Sequence, residues 1–157
     1  MEAANDPRAV LEALAKHEEG LSALYSAFAH AYPEVEGLWT TMSREEYGHA
    51  KLLRSLSDKV EDLHSFIDAR RFELDEISAA TGRLLAIVNA APSGAFPLQE
   101  AFRAAVKFED EMIDGGVFVV SEDDSLAVAK VLNTLEEQTE RHRAHLKESF
   151  ASHSGKS

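Results

Sequence analysis

Apolar residues recur at steps of three and four positions along four long stretches of the chain. This spacing keeps side chains on one face of an α-helix, where neighbouring helices can bury them. The first stripe consists of Leu11, Leu14, Glu18, Leu21, Tyr25, Phe28 and Tyr32, and the second of Trp39, Met42, Glu46, His49, Leu53, Leu56 and Val60. The third consists of Leu98, Phe102, Ala105, Glu109, Met112, Gly116 and Val119, and the fourth of Val128, Leu132, Leu135, Thr139, His142, Leu146 and Ser149. Four such stripes predict an all-α fold.

Proline and capping residues indicate where these helices begin and end. They predict a first helix that begins at Pro7, is capped by Asn5 or Asp6, and ends before Pro33, and a second from Pro33 or Glu34 to about Asp58. A shorter helix is predicted over about Glu76–Ala90, and a long one begins near Pro97. The last helix is predicted from a cap at Ser121, Asp123 or Asp124 to about Phe150. This order matches a four-helix bundle whose long crossover contains the shorter helix. We expect a single domain over residues 1–157, with the bundle at about 7–150 and a short flexible C-terminal tail.

Each stripe is interrupted near its middle by polar residues. The interrupting residues are Glu18, then Glu46 with His49, then Glu109, then Thr139 with His142. Mid-helix positions of a bundle lie at similar height, so three carboxylates and two imidazoles should meet in the core. Buried carboxylates cost several kcal/mol unless they are paired or metal-bound, and they also repel one another. A divalent or trivalent cation removes both problems, and oxygen and imidazole ligands suit iron, manganese or zinc.

Each of these residues also has a simpler explanation when taken alone. A single glutamate on a stripe can reach solvent at its edge, and a single core histidine is more often hydrogen-bonded than metal-bound. The coincidence of interruptions in four helices favours the metal site. Glu19 and Glu45 lie about 100° round their helices from the ligand positions, so we expect them to be solvated. Tyr25 is either a hydrogen-bond donor beside the site or a core aromatic residue.

The composition excludes several other classes of protein. The chain has no cysteine, which excludes disulfides, thiolate zinc sites and iron–sulfur clusters. Its net charge of −12 leaves no basic face for nucleic acid and disfavours an anionic membrane surface. No apolar run approaches the roughly 20 residues of a membrane span. Because the N-terminal sequence is charged and lacks an apolar core, we expect no secretory signal and a cytoplasmic location.

Four segments carry a resemblance to a known family. They are "EEGLSALY" with Glu18, "EEYGH" with Glu46 and His49, "AFRAAVKFEDEM" with Glu109, and "QTERHRAHL" with His142. In this order they resemble the ferritin-like superfamily, especially its rubrerythrin-type branch. That family has a Glu on helices one and three and a Glu-x-x-His on helices two and four, all facing a di-iron centre. The resemblance covers roughly Pro7 to Phe150.

The resemblance implies a non-haem di-iron oxidoreductase, a rubrerythrin-like peroxidase or ferroxidase. It would reduce peroxide or dioxygen, or oxidise ferrous iron, at two iron ions, with manganese or zinc as alternatives. Glu46 would bridge the ions, and Glu18, His49, Glu109 and His142 would be terminal ligands. Because the chain lacks the cysteines of a rubredoxin module, electrons would come from an external donor protein or from a second metal ion. Metal ions are the expected partners, and a homodimer is one expected oligomeric state.

One residue departs from the family pattern. Thr139 stands where the second Glu-x-x-His has its glutamate, so one bridge and one negative charge are missing. With Glu18, Glu46 and Glu109 ionised, the site carries a charge of −3, which predicts one well-bound ion and a weaker second one. The alternative is therefore a ferritin-like bundle with a partly degenerate or single-metal site, acting as a metal carrier or an interaction protein.

Overall fold

Helices form every regular element in the part of the chain that the structure, a computed structural model, describes: residues 6–58, 72–91 and 97–154. The helices are α1 (Pro7–Ala31), α2 (Glu36–Asp58), α3 (Leu74–Ala90), α4 (Leu98–Asp114) and α5 (Leu126–Ser154). A single 3₁₀ turn, Pro33–Val35, precedes α2. The predicted all-α fold is thus confirmed for these ranges. Val60 of the second stripe and Asn5 lie outside the described residues.

Local signals account for both ends of α1. Asp6 caps the helix, because its carboxylate accepts a hydrogen bond from the Arg8 backbone N–H at 3.1 Å. Pro7 follows in the first turn, where its missing N–H is no loss. At the other end Tyr32 leaves the helical conformation, and Pro33 cannot continue the hydrogen-bond ladder. Both predicted ends of this helix are confirmed.

The cap predicted for α5 is wrong. The Val128 backbone N–H donates to the Ser125 hydroxyl at 3.3 Å, so the cap is Ser125. Ser121 and Asp124 instead belong to the turn before the helix, where the Ser121 N–H donates to the Asp124 carboxylate at 2.8 Å. Four residues of the types that cap helices, two serines and two aspartates, stand within five positions here, and each can bond to its own local backbone. Sequence alone could not choose among them.

The third stripe also ends earlier than predicted. Helix α4 stops at Asp114, and Gly116 takes a left-handed backbone conformation with φ of 63°. This turn changes the direction in which the following side chains point. Phe118 therefore enters the core with 1% of its surface exposed, whereas Val119 is 54% exposed. The prediction that Val119 lies on the buried stripe is wrong for this reason.

Helix α1 is central to the packing, because it contacts both α2 and α3, while α5 contacts α4 and α2. Small residues let α1 and α2 approach closely: the Ser22 hydroxyl donates to the Ser43 carbonyl at 2.9 Å, and the Ser43 hydroxyl donates to the Ser22 carbonyl at 2.8 Å. Toward one end of the core, Trp39 packs against Tyr25, Phe28 and Phe102, with ring centroids 5.0 to 5.6 Å apart. The polar interruptions of the stripes are buried within this core. No helix in the described ranges combines the length and the apolar character needed to cross a membrane.

The contact between α1 and α3 depends on Gly20. A Cβ atom at this position would lie 2.7 Å from Leu84 Cδ1, and Leu84 is completely buried. A methyl group there would force Leu84 and its neighbours to shift. The absence of a side chain at Gly20 is therefore what brings α3 close to α1.

We predict that Gly20→Ala lowers the free energy of unfolding by about 1 kcal/mol. Overpacking costs about 1–3 kcal/mol, and the better helix propensity of alanine offsets about 1 kcal/mol. The matched control is Gly82→Ala on the exposed face of α3, where nothing lies within 4 Å of the added Cβ. The control should gain up to about 1 kcal/mol in urea unfolding. If both variants were equally stabilised, the close packing of α3 on Gly20 would be wrong.

Candidate metal centre

The polar interruptions of the four stripes meet in the core as two groups of three residues. One group is Glu18, Glu46 and His49, and the other is Glu46, Glu109 and His142. In each group one nitrogen or oxygen atom per residue lies within 4.8 Å of the others. All five side chains are at most 2% exposed, and Glu46 belongs to both groups. The five residues named from the sequence are thus brought together by α1, α2, α4 and α5.

The two histidines face the carboxylates through the same ring nitrogen. His49 Nδ1 lies 3.3 Å from Glu46 Oε2 and 3.9 Å from Glu18 Oε1. His142 Nδ1 lies 2.8 Å from Glu46 Oε1 and 3.5 Å from Glu109 Oε1. The two oxygens of Glu46 therefore face different histidines. This is the arrangement that a carboxylate needs to bridge two neighbouring cations.

The other ring nitrogen of each histidine is held by a residue of the opposite helix. His142 Nε2, on α5, lies 2.8 Å from Glu45 Oε1 on α2. His49 Nε2, on α2, contacts Gln138 Oε1 on α5. An acceptor at Nε2 keeps a proton on that nitrogen, so Nδ1, which faces the carboxylates, is the nitrogen that can exchange its proton for a metal ion. Such outer hydrogen bonds are what fix the tautomer and ring orientation of histidines that bind metals.

Several buried atoms of the centre have no hydrogen-bond partner. They are both carboxylate oxygens of Glu18, Oε2 of Glu46, Oε2 of Glu109, and Nδ1 of His49. Buried polar atoms are nearly always paired in folded proteins, because each unpaired one costs about 1–3 kcal/mol. Here the unpaired atoms belong to four side chains of the two groups of three, which share Glu46. Cations held by these two groups would satisfy them.

Burial and charge repulsion shift the pKa values of the carboxyl groups in opposite directions. Burial, and then the nearby charge of Glu46, raise the pKa of Glu18 well above its usual range. The same two causes raise the pKa of Glu109 to about 7. Burial alone would also raise the pKa of Glu46, but contacts with Glu18, His142 and His49 lower it well below its usual range. Glu46 is therefore the carboxylate of the group that stays ionised without a metal.

The histidine side chains respond to the same field. Burial alone would lower the pKa of His142, but hydrogen bonds to Glu109 and Glu46 raise it to about 11. Burial opposes charge at His49 too, yet the neighbouring Glu46 carboxylate raises its pKa. Without a cation, protons on the imidazoles therefore balance the charge of Glu46. A metal ion can replace those protons.

Tyr25 and Thr139 border the centre without belonging to either group of three. The Tyr25 hydroxyl donates to Glu109 Oε1 at 2.9 Å, which favours the first of the two roles expected for it, although its ring also packs on Trp39. Thr139 is buried with 1% exposure, as expected for a stripe residue. Its neutral hydroxyl takes the place of a carboxylate on α5. Among the described residues, no carboxylate from another position joins the two groups in place of the missing one.

The neighbouring glutamates differ from each other. Glu19 is 39% exposed and forms a bidentate ion pair with Arg54, so its expected place outside the centre is confirmed. Glu45 has a similar exposure of 37%, but its carboxylate reaches His142, which the sequence did not indicate. The angle round the helix separated Glu45 from Glu46 correctly. It could not show that a long side chain bends back to the outer face of a histidine on α5.

The sequence predicts surface positions for His17, His30, His64 and His153, and for His145 either the surface or a place beside the centre. His30 and His145 are exposed, whereas His153 is half-buried against the Phe102 ring. His64 lies outside the described residues. For His17 the prediction is wrong, because it is only 5% exposed. His17 adjoins Glu18 on α1 and is covered by α3. The periodicity of α1 does not reveal that α3 packs against this side of it.

His17 lines a cleft of about 560 Å³ between α1, α3 and the end of α4. The cleft has apolar walls from Leu14, Ile77 and Met112 and charged groups from Arg83 and Glu111. The Nδ1 atom of His17 has no hydrogen-bond partner. Burial lowers its pKa to about 4, so the ring is neutral at physiological pH. The cleft thus presents a neutral imidazole one residue from a ligand of the metal centre.

No protein-family model, curated protein or solved structure matches this chain significantly. The resemblance to the ferritin-like superfamily therefore stays a prediction from the quoted segments. The positions of the buried Glu and His side chains are what indicate that the centre could hold a metal ion.

Metal binding at this centre should release protons, and the affinity should rise with pH. A cation needs Glu109, with its pKa of about 7, and His142, with its pKa of about 11, in their deprotonated forms. Protons therefore compete with the metal, and raising the pH from about 6 to 8 should strengthen manganous binding by about tenfold or more per pH unit. Calorimetric titration in two buffers of different ionisation enthalpy measures the proton release. Affinity that stays constant over this range, without proton release, would contradict the proposed ligands.

Proposed function

We propose that this chain is a metal-binding protein of the ferritin-like type, a four-helix bundle that holds a two-ion centre in its core. The observation that carries the proposal is the set of unpaired buried atoms on Glu18, Glu46, His49 and Glu109. Structural ion pairs in a protein core are normally completed by hydrogen bonds. Here the side chains converge in two adjoining groups of three and remain incompletely paired, which is the state expected of metal ligands without their metal.

The donor set supports ions of the iron, manganese and zinc type. Glu18 and His49 would hold one ion, Glu109 and His142 the other, and Glu46 would bridge them. Mixed carboxylate and imidazole ligands suit these metals, and the absence of thiolates excludes sites that need sulfur. Iron fits the resemblance to rubrerythrin-type proteins. We therefore propose a non-haem di-iron oxidoreductase that reduces peroxide or dioxygen, or oxidises ferrous iron.

When bound, a pair of iron ions supplies the electrons for reduction of a small oxidant. The chain itself positions the ligands and controls protons and water. The Tyr25 phenol donates to Glu109, and burial followed by the Glu109 charge raises its pKa well above 10. It therefore keeps its proton, which stays directed at Glu109 Oε1. The packed rings of Tyr25 and Trp39 close that side of the centre to water.

A second candidate function follows from Thr139. The buried threonine leaves α5 with a single ligand, His142, where α2 contributes two. This asymmetry favours a centre that holds one ion tightly and acts as a metal carrier. Catalysis separates the two functions. The carrier would bind metal but would neither oxidise ferrous iron nor consume peroxide.

We predict that metal raises the melting temperature, because a cation that binds only the folded chain stabilises it by mass action. Ferrous or manganous ions at about 100 times Kd should raise the melting temperature by roughly 5–10 °C relative to a chelator. Glu46→Gln should abolish most of this gain, since Glu46 belongs to both groups of three. The control, Glu19→Gln, should retain it. No gain in the wild-type chain, or loss of the gain only in the control, would refute the site.

A second prediction distinguishes an enzyme from a carrier. Under anaerobic loading with ferrous iron, addition of peroxide should produce rapid oxidation, followed at ultraviolet wavelengths, and repeated turnover when an artificial electron donor is present. Glu46→Gln should reduce the rate to that of free ferrous iron under the same conditions. Tight ferrous binding without accelerated oxidation would reject the oxidoreductase and support the carrier.

A further inference from the structure

Helices α2 and α5 carry the same pattern of polar residues in different chemical forms. On α2 the pattern is Glu45, Glu46 and His49, and on α5 it is Gln138, Thr139 and His142. In both, an outer residue directly precedes an inner residue, and the histidine follows the inner residue by three positions. The α5 copy thus has an amide and a hydroxyl where the α2 copy has two carboxylates.

The outer residues of the two patterns are exchanged across the helix pair. Glu45 of α2 contacts the histidine of α5, and Gln138 of α5 contacts the histidine of α2. The two imidazole rings lie nearly parallel, with centroids 5.7 Å apart and an interplanar angle of 22°. The Nε2 atom of each ring therefore contacts an outer oxygen of the opposite helix, and the Nδ1 atom faces the inner carboxylates, where that of His142 is hydrogen-bonded to Glu46. The outer residue beside His142 is charged, and the one beside His49 is neutral.

That difference in charge falls where the inner ligand set is deficient. Glu18, Glu46 and Glu109 together supply a charge of −3 when ionised, against +4 for two divalent ions. Uncompensated charge is costly in a core of low dielectric constant. Counting Glu45 brings the acidic charge at the centre to −4, which balances two divalent ions. The extra carboxylate, that of Glu45 on α2, lies beside His142, and His142 stands on α5 together with Thr139.

We propose that Glu45, on the outer side of the His142 ring, supplies the negative charge that Thr139 does not supply on the inner side. This charge permits a second ion to bind. Glu45 is a positioning residue: it fixes the proton of His142 on Nε2 and makes Nδ1 a stronger donor to the metal. Gln138 orients His49 in the same way without adding charge. This inference rests on the proposed metal centre, and it concerns how that centre holds two ions despite Thr139.

The position of Glu45 allows the effect of its charge on metal binding to be measured separately from the effect of removing any acidic residue. Its side chain is 37% exposed, so its replacement leaves the hydrophobic core intact. Glutamine at this position keeps an oxygen for the His142 N–H and removes only the charge. Alanine removes both. A matched control is Glu140→Gln, which removes the same charge from an exposed position one residue beyond Thr139.

The test is a calorimetric titration with manganous ions. The wild-type chain should bind two ions, and Glu45→Gln should weaken the second binding step about tenfold while the first changes less than about threefold. Glu45→Ala should weaken the second step further, within the 10- to 100-fold range typical of such outer partners. The control Glu140→Gln should bind both ions like the wild type. If Glu45→Gln matched the control, the proposed role of Glu45 would be wrong.

A compensating substitution tests the charge itself. Thr139→Glu introduced into the Glu45→Gln variant should restore the second step, because the charge returns from the inner side. A residue that served only to orient His142 would not be replaced in this way, so failure of the rescue would overturn the charge argument. A wild-type chain that binds no manganous ion would instead refute the metal centre. Two ions bound with no effect at Glu45 would leave the centre intact and reject this inference alone.

Nuclear magnetic resonance of the zinc-loaded protein gives a readout independent of affinity. The Nε2–H proton of His142 should exchange slowly with water in the wild type, because it is held by Glu45. It should exchange faster by tenfold or more in Glu45→Ala and stay slow in Glu45→Gln. Fast exchange in the wild type, or a proton found on Nδ1, would contradict the assigned tautomer.

Discussion

The ionised carboxylate of Glu46, buried in contact with two histidines, is the interaction on which the centre depends. Its two oxygens face His49 and His142. Burial, and then the charge of Glu46, raise the pKa of both Glu18 and Glu109. A single charge in a protein core is tolerated only when neighbouring groups neutralise it. In this chain the groups that stabilise the charge, Glu18, His49 and His142, come from α1, α2 and α5, so the packing of these three helices and the electrostatics of the centre determine each other.

The periodicity of the sequence was sufficient to predict the inner residues of the centre. Glu18, Glu46, His49, Glu109 and His142 stand on stripes whose apolar neighbours are buried, and a residue's place on a stripe is a property of local helix geometry alone. The residues that were missed depend on contacts between elements distant in sequence. Glu45 reaches across to α5, and His17 is covered by α3.

The errors at the helix ends have a similar origin. Phe118 replaces Val119 in the core because Gly116 adopts a positive φ, and Ser125 caps α5 because three competing residues bond within the preceding turn. Such choices are decided by tertiary packing rather than by the propensity of one residue. They alter the boundaries of elements and leave the mid-helix positions of the buried Glu and His side chains unaffected.

Helices α2 and α5 contribute different polar side chains to the centre, so its two halves differ in chemistry. Helix α2 contributes two inner candidate ligands and an outer carboxylate, while α5 contributes one inner candidate ligand, a threonine and an outer amide. The carboxylates close to His49 are all buried, whereas His142 also contacts the partly exposed carboxylate of Glu45. Two ions in such a centre would be inequivalent in affinity and in access to solvent.

The most direct test of the central claim is a crystal structure of the manganese-loaded protein with anomalous scattering data collected at the manganese edge. We predict anomalous peaks inside the helical core, bonded to Glu46 and to Nδ1 of His49 or His142. We also predict that Nε2 of His142 remains hydrogen-bonded to Glu45. Peaks confined to surface carboxylates, with the five core side chains still paired only with one another, would contradict the central claim.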